Sequence, residues 1–255
     1  MRLSPCVEWH FAEDYPALPD RIRAARAAGF DACEFHLCRD KNLAGVAEAL
    51  AEAGVTLTGV CVDPRRSLVD PAQHDEFLAA VSESIEATGA IGSPPLIVAS
   101  GFTREGVSHE EQVAQAVAVL KRAAALAEAA GVTLVLEPLN DRVEHPGMFL
   151  VSNALGLDIV EAVGSPNLRL LFDVYHSATM GEDLAAVLEG RMHLVHHVQV
   201  ADVPGRNEPG TGTIDWPATI ATLRRLGYDG PLGLEYRPTL PIAESLALTR
   251  RSLGA

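Results

Sequence analysis

Eight short apolar runs recur in 255 residues, and seven of them give way to a longer stretch, often alanine-rich, whose apolar positions recur at helical spacing. The runs cover 3–9, 30–36, 56–63, 95–101, 133–140, 168–176, 195–202 and 230–238. Helices are expected over 21–28, 43–53, 74–88, 110–130, 155–163, 218–226 and 242–253. Short, continuously apolar runs suit strands buried on both faces, and strands separated by amphipathic helices suit a parallel sheet. Several helical stretches end in a glycine that leads into the next run: Gly29, Gly54, Gly131 and Gly227. A left-handed glycine cap of this kind ends a helix and feeds a short connection. About eight such units in one chain predict a single-domain α/β fold over 1–255, a (βα)₈ TIM barrel. A doubly wound open sheet is the runner-up. It would usually have fewer strands, and no GxGxxG turn follows the first run.

The stretch from His196 to Gly212 departs from this rhythm. Its first half alternates like a buried strand, and its second half is a polar loop containing Pro204, Gly205, Pro209, Gly210 and Gly212. Thr213, Asp215 and Pro217 then mark a helix start, with an oxygen-bearing cap and a proline in the first turn. A connection carrying His, Gln, Asp, Arg and Glu together reads as part of a site.

Charge and composition narrow the possible partners. The net charge is −14, which opposes nucleic acid or an anionic membrane surface as a general partner but leaves a small anionic substrate open. No apolar run is long enough to span a bilayer, and the first residues lack a signal-peptide core, so a cytoplasmic location is expected. Cys6, Cys33, Cys38 and Cys61 have no metal-site spacing and read as buried reduced thiols.

Polar residues inside buried strands are costly without partners, and barrel sites sit at the C-terminal strand ends. Four residues meet both conditions on the fifth to eighth runs: Glu137, Asp173, Gln199 and Glu235. Three carboxylates and an amide are hard oxygen donors, better matched to Mg²⁺ or Mn²⁺ than to Zn²⁺. The opposing reading, a salt bridge for each acid, needs bases that these runs hardly contain. Glu137 and Glu235 could also take a proton from a carbon beside a carbonyl and return it to the neighbouring carbon, an aldose–ketose type of isomerisation. His176 could hydrogen-bond a substrate oxygen or cap a backbone group. Arg206 could grip a substrate carboxylate or pair with Glu208 or Asp202, and Glu208 is itself a substrate-binding candidate. His197 shares the phase of Gln199 and reads as core. Trp9, His10, His36 and Asp63 end the first three runs and could line the rest of a pocket.

The segments LEPLN (136–140), FDVYH (172–176), HVQVADVPGRNEPGTGTIDW (197–216) and YDGPLGLEYRP (228–238) resemble the hydroxypyruvate isomerase family and the related 2-oxo-tetronate isomerases, within the xylose-isomerase-like barrels. AARAAGFDACEFH (24–36) extends the resemblance into the N-terminal half. The resemblance implies that Glu137, Asp173, Gln199 and Glu235 bind a divalent metal and that the two glutamates are the acid–base pair. Related ketose 3-epimerases carry histidine at the position of Gln199, so the glutamine favours the hydroxypyruvate branch. The chain departs from that branch after the third run. There typical members have a glycine- and tryptophan-containing segment, and here Arg65 and Arg66 stand as candidates to contact substrate or to be solvated.

The expected activity is interconversion of hydroxypyruvate and 2-hydroxy-3-oxopropanoate, or of a close 2-oxo acid homologue, through an enediolate. The alternatives are a ketose epimerase or isomerase, a polyol-ketone dehydratase on the same metal site, and a binding protein without turnover. A small-molecule partner is expected in each case, and a homo-oligomer is compatible with the sequence.

Overall fold

The computed structural model describes all 255 residues, and it is a barrel. The parallel strands are β1 (Leu3–Pro5), β2 (Ala32–Cys33), β3 (Thr56–Leu57), β4 (Val60–Cys61), β5 (Leu96–Val98), β6 (Leu134–Leu136), β7 (Leu168–Asp173), β8 (Val195–Val200) and β9 (Leu232–Leu234). Seven of them form one sheet in the order β1-β9-β8-β7-β6-β5-β4, and β2 pairs with β3. Backbone hydrogen bonds close the ring. Val7 donates to Glu34 and Glu34 to Pro5 on one side of β2, and Phe35 donates to Gly59 and Cys61 to His36 on the other. The third apolar run is thus one barrel strand interrupted at Thr58–Gly59.

The ladders are shorter than the apolar runs. Glu137 and Glu235 lie one residue past β6 and β9, where the chain leaves its neighbours and turns over the mouth. The sixth run was expected as strand to His176, but the strand stops at Asp173. There the side chain turns back to accept from Tyr175 N, at 2.7 Å, and from His176 N, so Asp173 starts a short helix, Val174–Met180. A five-residue helix, Leu184–Leu188, was not anticipated.

The outer helices follow their sequence periods. In His109–Ala130 the buried Ala116, Leu120, Ala123 and Ala127 fall on one stripe. Ser108 caps its start through Glu111 N at 3.1 Å, and Gly131 ends it at φ 68°. Helix Trp216–Arg225 begins at Asp215, which accepts from Ala218 N at 3.0 Å as the sequence implied.

Parity along the strands sorts two cores. Leu134, Leu136, Leu168 and Leu170 join the large core under the helices, whereas Cys61, Ile97, Val135 and Leu171 form a small apolar cluster of their own. The pairing of β7 with β8 shifts at Leu170/Leu171, so that Leu171 opposes His197 and Asp173 opposes Gln199. The residues in phase with the small cluster continue upward as Glu137 and Asp173. Beside them runs a buried polar column. Ser4 and Thr58 share a hydrogen bond at 2.6 Å, and Thr58 donates to Glu34 at 3.2 Å. Glu34 also meets His197 Nε2 at 2.7 Å and Gln199 Nε2 at 2.9 Å. Gly233 makes room for this column, since a Cβ there would lie 2.7 Å from Glu34 Oε1 and 2.8 Å from Gln199 Cγ.

Candidate active site

The loops after the strands enclose a cavity of about 330 Å³ lined by, among others, Trp9, His36, Glu137, His176, Arg206 and Glu235. Asp173 and Gln199 are buried and do not line it: Asp173 meets the lining residues His176 and Arg206, and Gln199 is its register partner on β8. Of the four oxygen donors picked from sequence, two thus line the cavity and two are buried at neighbouring strand ends.

Their electrostatics differ. Burial, with Glu235 and Asp173 nearby, holds the Glu137 carboxyl well above the usual carboxylate range. Burial likewise raises Asp173, to about 7, although Arg206 opposes the shift. Burial alone would raise Glu235 too, but the Arg206 guanidinium and a hydrogen bond from His36 hold it far below its ordinary value. His36 Nε2 lies 2.8 Å from Glu235 Oε1. The two glutamates are thus shifted in opposite directions, the pattern expected of an acid–base pair.

Arg206 pairs with neither Glu208 nor Asp202. Its Nη2 lies 2.5 Å from Glu235 Oε2 and 3.3 Å from Asp173 Oδ2. The base absent from the strand interiors is supplied by the loop, from a residue held in the left-handed region at φ 55°. Trp9 and Tyr175 flank its guanidinium, with ring centroids 5.5 and 5.2 Å from Cζ. Asp202 and Glu208 hold that loop in place. Asp202 accepts from Val203 N, Gly210 N, Ile214 N and Trp216 Nε1. Glu208, expected to contact substrate, is fully buried away from the cavity. Its carboxylate accepts from Thr239 N, Thr239 Oγ1 and Leu240 N at 2.7, 2.9 and 3.0 Å. These donors follow the last strand, more than thirty residues along the chain, so proximity in sequence to Arg206 was no guide.

His176 sits at the end of a relay. Its Nδ1 accepts from Asn140 N at 3.1 Å and from Asn140 Nδ2 at 2.7 Å. Asn140 Nδ2 in turn donates to Glu144, which accepts from Tyr175 OH. With Nδ1 committed as an acceptor, the neutral ring carries its proton on Nε2. Burial pushes the ring well below its ordinary pKa, so it stays neutral. Nε2 has no hydrogen-bond partner and lies 3.6 Å from Asp173 Oδ2 and 3.9 Å from Glu137 Oε1. It is a donor aimed into the site, and its lone pair is not free to ligate.

Of the four residues ending the first runs, Trp9 and His36 line the cavity. His10 is buried against the Tyr236 ring at 4.4 Å, and Asp63 accepts from Arg39 N at 3.1 Å outside the mouth. His197 lies beneath the site, as its phase implied, but it is one half of a buried pair with Glu34. Sequence reading missed Glu34. The available signal was an acid between Cys33 and Phe35, inside an apolar run.

A divalent cation fits these residues. Gln199 gives its Nε2 to Glu34, and its Oε1 is left buried without a partner on the residue that registers with Asp173. Carboxylate oxygens of Glu137 and Asp173 lie within 4.8 Å of one another, and the Glu235 carboxylate lies as close to His36 and Cys6. Arg206 already places a positive charge between Asp173 and Glu235.

The family described as Xylose isomerase-like TIM barrel matches residues 22–252. The chain is 32% identical to a 2-oxo-tetronate isomerase of Cupriavidus necator over 93% of this chain and 94% of that protein. It is 30% identical to a putative hydroxypyruvate isomerase of Homo sapiens over 98% and 94%. Among solved structures, an AP endonuclease, family 2, from Brucella melitensis superposes with a TM-score of 0.89 at 28% identity, covering 96% of each chain.

Proposed function

Because this chain belongs to the xylose isomerase-like TIM barrel family and is an isomerase, we propose that it interconverts a short 2-oxo acid and its aldehyde isomer, hydroxypyruvate and 2-hydroxy-3-oxopropanoate or a close homologue. What most supports this reading is the buried pair Glu137 and Glu235 facing one cavity, with carboxyls shifted in opposite directions by their surroundings.

Glu137, Asp173, Gln199 and Glu235 would hold a divalent cation, Mg²⁺ or Mn²⁺. When bound, it would draw on the substrate's carbonyl and adjacent hydroxyl oxygens and stabilise the charge that develops on them. The two glutamates rise from β6 and β9, which are separated by two strands in the sheet. One takes the proton from the carbon bearing the hydroxyl, and the other returns a proton to the former carbonyl carbon. His176 Nε2–H donates to a substrate oxygen, and the Asn140–Glu144–Tyr175 relay keeps that proton pointing inward. Val62, Ile97, Val98 and Leu139 give the cavity an apolar wall that limits water around the reacting carbons.

The direct test is hydroxypyruvate with Mn²⁺ in D₂O, followed by proton NMR. Loss of the C3 signal with appearance of an aldehyde-hydrate signal is expected. No exchange above a metal-only control removes hydroxypyruvate and directs attention to larger ketoses or to dehydration.

The raised carboxyls set a pH dependence. Below about pH 7 the metal-free site holds a proton on Asp173, and the Glu137 carboxyl is shifted in the same direction, so a cation must expel bound protons. Affinity for Mn²⁺ is therefore expected to rise with pH through 7, by about tenfold per pH unit for each proton displaced, since ligating carboxylates bind ionised. Calorimetric titration at pH 6 and pH 8 in buffers of different ionisation enthalpy measures both affinity and proton release. Equal affinities without proton release would contradict the ligand set.

A further inference from the structure

Four arginines line the cavity in a chain of net charge −14, and they are not equivalent. Arg206 is committed to Glu235 and Asp173. Arg66 is paired with Glu76 at 2.6 Å, and Arg104, farther out, lies 3.7 Å from Asp70. Arg237 lies over the Trp9 ring at 5.3 Å. Arg65, on the loop after β4, has no carboxylate within ion-pair distance. Its Nη2 points inward, 4.0 Å from the thiol of Cys61 in the small inner cluster. It lines both the catalytic cavity and a neighbouring one of about 420 Å³, with Arg66 and His145 beside it in both.

We propose that Arg65, not Arg206, is the residue that selects for an anionic substrate, by gripping the carboxylate of the 2-oxo acid at the junction of the two cavities. The proposal rests on the isomerase reading above and names what sets its substrate class. A guanidinium presents a two-pronged donor face that matches a carboxylate. Arg206 lies between the Trp9 and Tyr175 rings over the acid cluster and lines only the catalytic cavity, whereas Arg65 lines both cavities and has no acid partner. With the carbonyl and hydroxyl oxygens of hydroxypyruvate over the acid cluster, the carboxylate at the far end of the three-carbon skeleton is the group left for a cation at the rim. His145 supports the same end. Burial, with Arg206 and Arg65 nearby, lowers its pKa, so it is present as a neutral ring that can donate a hydrogen bond to the anion without competing for it as a cation.

The experiment compares wild type, Arg65→Gln, Arg65→Lys and Arg237→Gln, each loaded with Mn²⁺. Hydroxypyruvate is set against dihydroxyacetone, which has the same carbon skeleton with a hydroxymethyl group in place of the carboxylate. Arg65→Gln is expected to raise KM for hydroxypyruvate by about 10- to 100-fold, the range for a lost charge-assisted hydrogen bond, with kcat changed far less. Arg65→Lys should recover part of the loss, because it keeps the charge and loses the fork. Hydrogen exchange of dihydroxyacetone should be the same in wild type and Arg65→Gln. Binding of tartronate, an unreactive dicarboxylate, should weaken in parallel by calorimetry. Mn²⁺ affinity should hold, which separates anion recognition from damage to the metal site. If wild type turns over hydroxypyruvate and Arg65→Gln does so with the same KM, the proposal alone is overturned. The same holds if Arg237→Gln takes the loss instead, or if both substrates suffer equally. If wild type neither exchanges hydroxypyruvate nor binds tartronate, the isomerase reading of the substrate fails and the proposal falls with it.

Discussion

Glu137→Gln is expected to lower formation of 2-hydroxy-3-oxopropanoate by about a thousandfold, the scale of a lost general acid or base. Glutamine keeps the side-chain shape and one oxygen facing the cavity, so the variant removes the proton-carrying function with little change in packing. Within the protein the Glu137 carboxylate has only the His176 Nε2 contact at 3.9 Å, and because it is also a proposed ligand of the cation, Mn²⁺ affinity of the variant is measured alongside so that a lost proton carrier is told from a lost metal. The same change at Glu235 would also disturb Arg206 and His36, both of which contact that carboxylate. Product formation and C3 exchange are read in the same NMR experiment. Exchange that survives without product places Glu137 at the former carbonyl carbon, and exchange lost together with product places it at C3. Product at the wild-type rate would remove Glu137 from the reaction.

The largest effect on stability is expected from Glu34→Ala. Glu34 has three side-chain partners inside the barrel, and removing it leaves His197 Nε2, Gln199 Nε2 and Thr58 Oγ1 without their shared acceptor. Leaving a buried donor without its acceptor costs about 1–3 kcal/mol, so losing the acceptor shared by these donors costs about 3–5 kcal/mol in all. For a chain of this size that is a fall of about 10 °C in Tm. Scanning calorimetry on the metal-free protein measures it, and a loss under 1 kcal/mol would show that water takes over the acceptor's place. Glu34→Gln is the milder probe. It preserves volume but removes the charge beneath Gln199 and frees the amide to turn, so Mn²⁺ affinity should fall by about 10- to 100-fold, as when other outer partners of metal ligands are lost.

The legible and illegible parts of this protein divide along one physical line. Asp173 and Glu235 could be picked out because burial of an acid at the end of an apolar run is locally anomalous, and strand parity says which way it points. The barrel was legible for the same reason, since its period is local. Glu208 was misplaced because what decides its role is a set of backbone donors at Thr239 and Leu240, and no feature near Glu208 announces them. Arg206 was drawn to its sequence neighbours Asp202 and Glu208, whereas the fold brings it to acids on β7 and after β9. Glu34 escaped attention because its partner His197 is 163 residues away. The short strands were overextended because hydrophobicity reports burial, and the chain stays buried for several residues after its ladder ends.

The placement of the chain's two tryptophans gives it an optical gauge of its own chemistry. Trp216 is buried and fixed to Asp202 through Nε1 at 2.9 Å, so its emission is a constant background. Trp9 stands at the mouth with Arg206 and Arg237 over its ring and His36 at its edge, 5.0 Å away. Any rearrangement of those charges as a cation or an acid enters changes the field across that indole alone. Occupancy of the site can therefore be followed by emission in real time, without a label and without turnover.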